Sequence, residues 1–340
     1  MTQPIIEIGG KSRYLDIFKA YGTALCLFSE DINFSVQRKF GFIFTIEKSI
    51  EAEEIQKILR ERLIIELNGM LSMHDLYDHE RSILDFSAGA NLIEEDAVNV
   101  PNNLRKIFEA LKDGRELNMS FKIPITLDPT FVGNTVDAMS YALAWVGFHN
   151  FAPIYKYIQD DNYKAVHVFI PIISEEKYRD IDLISLAELK PHHIVHEGSD
   201  VYMAFPELAL LFHITHTETI VLPFFVMNNR KLSLETYTIY YTDGKVCAGS
   251  PSVMNLFNLA RFMYDLKVNA TEVFEFIDTL LQMDVEASRI LVNAIETDNP
   301  DRFYEALRKM HESKVPIPKS VARQIMKYIA EINEFEKPRY

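Results

Sequence analysis

The sequence predicts an α+β protein: a mixed α/β body with an antiparallel β-meander, followed by a C-terminal helical bundle. Three observations carry that prediction. Helix-periodic and β-prone segments alternate up to about residue 250. An Asp243-Gly244 pair sits between two β-prone runs, where both residues can take positive φ and close a hairpin. From Ser252 onward, five helical segments follow one another with only short breaks.

In chain order, Arg13 to Phe28 has helical spacing, with Leu15, Phe18, Leu25 and Phe28 apolar, and Phe40 to Ile46 is a short bulky run that predicts a strand. Ile50 to Leu71 is amphipathic, with Ile55, Ile58, Leu59 and Leu63 at spacings of three and four; Asn68-Gly69 is expected to end or bend it. Asn102 to Leu111 predicts a helix closed by Asp113-Gly114. After the turn signal Leu127-Asp128-Pro129, Gly133 to Phe148 is so uniformly apolar or small that it predicts a helix buried all round. Val166 to Ile172 and Leu208 to His216 predict strands, and Thr219 to Met227, Leu232 to Tyr241 and Lys245 to Ala248 predict the meander. The bundle is expected over Ser252 to Leu266, Ala270 to Gln282, Val285 to Glu296, Pro300 to His311 and Pro318 to Phe335, with Pro300 and Pro318 at helix starts. The expected regions are 1–120, 121–250 and 251–340, the last boundary falling near Gly249-Ser250-Pro251.

The bulk composition excludes several classes. Two cysteines, Cys26 and Cys247, are too few for a disulfide scaffold or a cysteine-rich zinc module, and they fit a reducing cytoplasm. Met1 to Glu7 holds no basic segment followed by an apolar run, so no signal peptide is expected. The most apolar stretch, Leu208 to Met227, is broken by His213, His216, Glu218 and Pro223, so a soluble protein with no membrane partner is expected. The net charge of −14 argues against a generic nucleic-acid coat, but it is uneven. Lys+Arg against Asp+Glu is 14 to 20 over residues 1–120, 9 to 15 over 121–250, and 12 to 14 over 251–340.

No catalytic constellation stands out. His74-Asp75 with Asp78 and His79 suits a polar turn after a helix. His192, His193, His196, His213 and His216 form the densest histidine cluster. His192 and His196 would share a helical face, but Pro191 and Gly198 leave barely two turns, and on a strand His213 and His216 point to opposite faces. Phosphate-cradling glycine loops and a nucleophile elbow are absent from the sequence. No catalytic residue, metal or cofactor is therefore expected.

The basic residues say more. Lys319, Arg323 and Lys327 stand four apart on the final helix, spanning about 80° of arc opposite Val321, Ile325, Tyr328 and Ile332. Arg302, Arg308 and Lys309 on the preceding helix and Lys314 in the link add to this charge. Between residues 300 and 330 there are seven Lys+Arg against three Asp+Glu. A cationic ridge of that kind suits a phosphate backbone. A second candidate is the hairpin tip Asn228-Asn229-Arg230-Lys231, whose side-chain types read base edges. Arg38-Lys39 is a third, smaller basic spot.

Two segments carry a family likeness. Gly133-Asn134-Thr135-Val136-Asp137-Ala138 runs into Tyr141-Ala142-Leu143-Ala144-Trp145-Val146-Gly147-Phe148, and Asp298-Asn299-Pro300-Asp301-Arg302-Phe303-Tyr304 continues to Leu307-Arg308. Both resemble segments of the large subunit of archaeal type I-A CRISPR interference (Cascade) complexes, over the last two thirds of the chain. The resemblance implies a non-enzymatic subunit of an antiviral ribonucleoprotein. Such a subunit helps recognise the protospacer-adjacent motif, holds the guide 5′ handle and stabilises the opened target DNA, while pairing to the guide RNA reads the rest. Its implied partners are the guide RNA, target DNA, and the other Cascade subunits: the backbone and small subunits and the helicase-nuclease. The bundle would then lie along a DNA strand, with the Asn228–Lys231 tip touching the duplex. Two other readings compete: a metal-dependent phosphohydrolase or nuclease using the His192–His216 cluster, and a scaffold that binds only protein.

Overall fold

Helix α1 (Arg13–Phe28) and helix α4 (Ala138–Phe151) cross so closely that neither tolerates a side chain at the contact. A Cβ on Gly22 would lie 2.0 Å from the Leu143 carbonyl oxygen, and one on Gly147 would lie 2.0 Å from that of Phe18. Only glycine lets two helix backbones approach this far. Around the crossing, Phe18 meets Phe148 edge-on at 5.3 Å and Tyr21 meets Phe151 at 5.0 Å. These features come from a computed structural model, which describes residues 4–9, 13–72, 99–120, 135–159, 162–189, 194–197, 231–242, 245–248, 252–255, 258, 262 and 270–335.

The chain divides into two compact units, Met1–Val195 with Thr236–Ser252, and His196–Glu235 with Val253–Tyr340. In the first, strands β1 (Ile5–Ile8), β2 (Phe34–Arg38), β3 (Phe42–Ile46) and β8 (Lys177–Arg179) form an antiparallel sheet in the order β1-β3-β2-β8. Its inward residues, Ile8, Phe34, Val36, Phe42, Phe44 and Ile46, are all buried. Helix α2 (Ala52–Ser72) buries Ile55, Leu59, Leu63, Leu67 and Met70. It runs through Asn68-Gly69 instead of ending there: a Cβ at Gly69 would meet only open space, so the glycine is tolerated and not required.

Helix α3 (Asn99–Asp113) closes as expected. Gly114 takes φ 71°, Arg115 N–H returns to the Ala110 carbonyl at 2.9 Å, and Arg60 of α2 donates to the Leu111 and Lys112 carbonyls at 2.5 and 3.3 Å. Strands β4 (Asn118–Ser120) and β5 (Thr135–Asp137) pair with each other, so the apolar segment from Gly133 is not helical from its start. Helix α4 begins at Ala138 because the Asp137 side chain accepts from Ser140 N–H at 2.8 Å. Burial pushes the Asp137 carboxyl up, but those Ser140 hydrogen bonds and nearby Lys19 outweigh it and hold it below its ordinary value. Beyond Ala138 the expectation of all-round burial holds: ten of the helix residues are buried, Trp145 among them.

A second sheet runs β11-β10-β7-β6-β9, from β6 (Ile154–Gln159), β7 (Asn162–Ile173), β9 (Ile194–Glu197), β10 (Leu232–Thr242) and β11 (Lys245–Ala248). The hairpin marked by Asp243-Gly244 is present as the pair Thr242↔Lys245 of β10 and β11. A short helix α5 (Asp180–Ile184) and a 3-10 turn (Ser185–Leu189) follow β8. Tyr21 of α1 donates its hydroxyl to the Pro171 carbonyl of β7. Ser252–Met254, expected to open a helix, is strand β12, while Asn258 and Phe262 further on are helical. The strands expected at Leu208–His216 and Thr219–Met227 and the turn at Leu127–Pro129 lie outside the described residues.

The second unit contains α6 (Ala270–Met283), α7 (Val285–Thr297), α8 (Pro300–Glu312) and α9 (Lys319–Phe335), within a residue or two of the expected bounds. Among the described residues, no helix is long and apolar enough to cross a membrane.

Candidate nucleic-acid interface

The Asp298–Tyr304 segment forms a corner in which each residue has a local reason. Asp298 ends α7 in the left-handed conformation, at φ 50°. Asn299 caps α8, its side chain accepting from Asp301 N–H at 3.0 Å and Arg302 N–H at 3.3 Å, and Pro300 takes the first helical turn, where no N–H is needed. Phe303 turns inward and meets the Tyr328 ring of α9 at 5.5 Å; Phe262 meets the same ring at 5.0 Å. The Tyr328 hydroxyl then donates to the Asp298 carboxylate. One residue of α9 is thus held by two rings and a hydrogen bond to a charged group, which fixes the rotation of that helix.

That rotation sets where the cations go. Val321, Ile325, Tyr328, Ile329 and Ile332 are buried, and Lys319, Arg323 and Lys327 are exposed on the opposite side. The first helical bond, from Ala322 N–H to the Pro318 carbonyl, places Pro318 just before the helix and Lys319 in its first turn. Among the described residues, Lys319 and Arg323 make no ion pair. Met326, half-exposed, flanks the ridge.

The cations of α8 are placed differently. Arg302 pairs with Glu305 at 2.7 Å, Arg308 with Glu312 at 3.8 Å, and Lys309 with Glu286 of α7 at 2.8 Å. Arg302 and Lys309 share one helical face, and Arg308 stands about 100–120° away from them. The hydrogen bond to Glu286 and its charge raise the Lys309 ammonium above its ordinary value. The structure therefore gathers Lys319, Arg323 and Lys327 on one open face and couples each α8 cation to an acid. Lys314 takes a left-handed turn at φ 56° between α8 and α9. Asp284, which caps α7 through Ala287 N–H, is held below the usual carboxylate range first by the Ser313 hydroxyl and then by that N–H.

Of the hairpin-tip candidates, Asn228, Asn229 and Arg230 lie outside the described residues, and Lys231 is exposed just before β10. Arg38 is occupied structurally: its guanidinium donates to the Ile173 carbonyl at 3.4 Å and its N–H to the Glu176 carbonyl at 2.7 Å. Among the described residues, no three His, Cys, Asp or Glu side chains stand together as metal ligands would. His196 lies on strand β9, not on a helix, whereas His74, His79, His192, His193, His213 and His216 are outside the described set.

Comparison with known proteins ties these segments together. A family model described as CRISPR-associated protein (Cas_Csa4) matches residues 133–332, from just before α4 to the last buried isoleucine of α9. The chain is also 28% identical over 342 residues to the CRISPR-associated protein Cas8a2/Csa4 of Methanocaldococcus jannaschii, covering 92% of this chain and 89% of that protein. The packed α4 and the capped α7–α8 corner, the segments whose likeness was legible in the sequence, both fall within the matched residues, and the chain belongs to the Cas_Csa4 family, the large subunits of type I-A CRISPR interference complexes.

Proposed function

We propose that this chain is a non-catalytic subunit of a guide-RNA-directed Cascade complex and that the α9 ridge holds the phosphates of the opened target DNA. The carrying observation is that Lys319, Arg323 and Lys327 share one exposed face directly opposite a stripe docked by Tyr328. A phosphate backbone needs cations at fixed spacing and without competing acids. On α9, Lys319 and Arg323 make no ion pair among the described residues and Lys327 shares their exposed face, in a chain whose net charge is −14. The acidic remainder suits faces turned toward basic partners: the backbone and small subunits and the helicase-nuclease. Recognition of the protospacer-adjacent motif and of the guide 5′ handle belongs to the same reading, with the Asn228–Lys231 tip as the duplex contact. The bundle of residues 251–340 is then the part that faces DNA.

The test is the triple variant Lys319→Glu, Arg323→Glu, Lys327→Glu, assembled into the complex with its guide RNA. Target-DNA affinity is measured across a salt series. The slope of log K against log salt is expected to flatten by about 2–3, since each lost phosphate contact removes about 0.7–0.9. Stability should hardly change, because all three side chains are exposed. An unaltered slope would remove the ridge from the interface.

A further inference from the structure

The sheet β1-β3-β2-β8 has two edge strands, and they are finished differently. Arg38 N–H donates to the Glu176 carbonyl at 2.7 Å, which sets the alternation of the β2–β8 ladder. The backbone groups of Lys177 and Arg179 therefore point away from β2. That edge is closed. The Asp182 carboxylate of α5 accepts from Arg179 N–H at 3.1 Å, and the exposed side chains of the edge, Lys177 and Arg179, are both charged. Charge and a covering element are how a sheet keeps an edge from pairing.

Strand β1 lacks that finish. Ile46 N–H donates to the Pro4 carbonyl at 3.1 Å, so Pro4, Ile6 and Ile8 turn their backbone groups to β3, and Ile5 and Glu7 turn theirs away. Two N–H and two C=O groups are thus aimed off the sheet, and no described residue pairs with them. The Ile5 side chain beside them is 59% exposed. Ile43, its diagonal neighbour on β3, is part-exposed on the same face. Glu7 is exposed and makes no ion pair among the described residues. The cation in its row, Lys177, stands three strands away.

The unmade main-chain bonds select the occupant, because only another extended backbone supplies donors and acceptors in that order. We infer that the outer edge of β1 takes up a strand from another protein of the assembly. That strand sets an apolar residue beside Ile5 and, two positions along, a lysine or arginine beside Glu7. The residue between them is apolar and covers Ile6, which is only part-buried on the core side. A second copy of β1 is a poorer match: pairing the outward residues of two copies antiparallel sets each Ile5 against a Glu7. The inference rests on the reading of the chain as a subunit of a complex, but not on the α9 ridge.

The experiment assembles the full chain with its partner subunits and guide RNA, carrying the photoreactive substitution Ile5→benzoylphenylalanine. Cross-linking and mass spectrometry are expected to find one segment of one partner subunit, with an apolar residue and a lysine or arginine two apart. Affinity for that subunit is then measured. Glu7→Ala removes the charge and keeps the N–H, whereas Glu7→Pro removes both and spares the β3 ladder. Glu7→Pro should bind about fivefold more weakly than Glu7→Ala, the worth of one hydrogen bond. Glu7→Lys should also weaken binding, and changing the cross-linked cation to glutamate should restore it. Cross-links that fall only on this chain, on a second copy or on nucleic acid would overturn the proposal. Equal affinity of Glu7→Pro and Glu7→Ala, or no rescue of Glu7→Lys, would do the same. A parent chain that entered no complex at all would overturn the reading as a Cascade subunit and this inference with it.

Discussion

Helix α4 and the α7–α8 corner both carry the family likeness, yet they are built on opposite principles. Helix α4 is apolar on all sides and is specified by absence: Gly147 is there because the Phe18 carbonyl leaves no space for a methyl group. The corner is specified by hydrogen bonds. Asp298, Asn299 and Pro300 each answer a backbone requirement, and the helices they join keep an open polar face. A segment buried all round can only support the fold, whereas a capped amphipathic corner holds one face fixed and leaves the other for a partner. Similarity in the first kind of segment therefore reports the family, and the second kind positions the charges.

The sharpest way to break the comparison is at the glycine. Gly147→Ala forces a methyl group to within 2.0 Å of a backbone oxygen, which no rotamer change relieves. Overpacking against backbone is expected to cost about 3 kcal/mol or more, seen as a large fall in the urea midpoint or as insoluble protein. Gly69→Ala in α2 is the control. It adds the same methyl group into open space inside a helix, and it should stabilise by about 0.5–1 kcal/mol. If both glycines responded alike, the α1–α4 crossing would not be as close as described.

The next effect comes from pH. His167 of β7 is buried, with Nδ1 2.9 Å from the Thr238 hydroxyl and its ring near Phe169, and burial lowers it to about 4. The unfolded chain takes up this proton near pH 6.5, the folded protein only near 4. Stability is therefore fully present above pH 6.5, falls as pH drops toward 4, and loses nothing more from this group below that. The loss is about 3 kcal/mol. Denaturant titrations at several pH values should show His167→Gln with a shallower decline than the parent chain between pH 6.5 and 4. Parallel curves would mean that the imidazole is charged in the folded protein.

How far the sequence carried depended on how local the cause was. Arg13–Phe28 and Val285–Thr297 were legible from spacing alone, and Asp113-Gly114 and Pro300 from their capping chemistry. What escaped was set by partners distant in the chain. Strand β8 has three residues and exists through its ladder with β2. Ser252–Met254 reads as a helix start but is a strand. The run from Gly133 was apolar enough to be read as one helix, and pairing of Thr135–Asp137 with β4 takes its first residues. The strand expected from Phe40 begins at Phe42, because Gly41 must pass the Ile8 carbonyl and Phe40 is left outside. The spacing of Lys319, Arg323 and Lys327 was sufficient to place them on one exposed face. The i,i+3 and i,i+4 partners of Arg302 and Arg308 were in the sequence too, but Glu286 on Lys309 required the α7–α8 packing.

The smallest expected loss of stability is the most informative about the corner. Tyr328→Phe removes one hydroxyl and leaves the ring between Phe262 and Phe303. The lost hydrogen bond runs to a carboxylate, so the cost is expected at about 1.5–3 kcal/mol, toward the lower end because Asp298 is only half-buried and can take water instead. A loss of that size with an unchanged m-value would mean that the ring still docks α9. The salt slope of DNA binding by the assembled complex separates two roles for the hydroxyl. If it only adds stability, the slope stays with that of the parent, because the ridge keeps its orientation through the rings. If the hydroxyl is what fixes the rotation of α9, Lys319, Arg323 and Lys327 lose their register, and the slope flattens toward that of the triple glutamate variant although no cation has been changed.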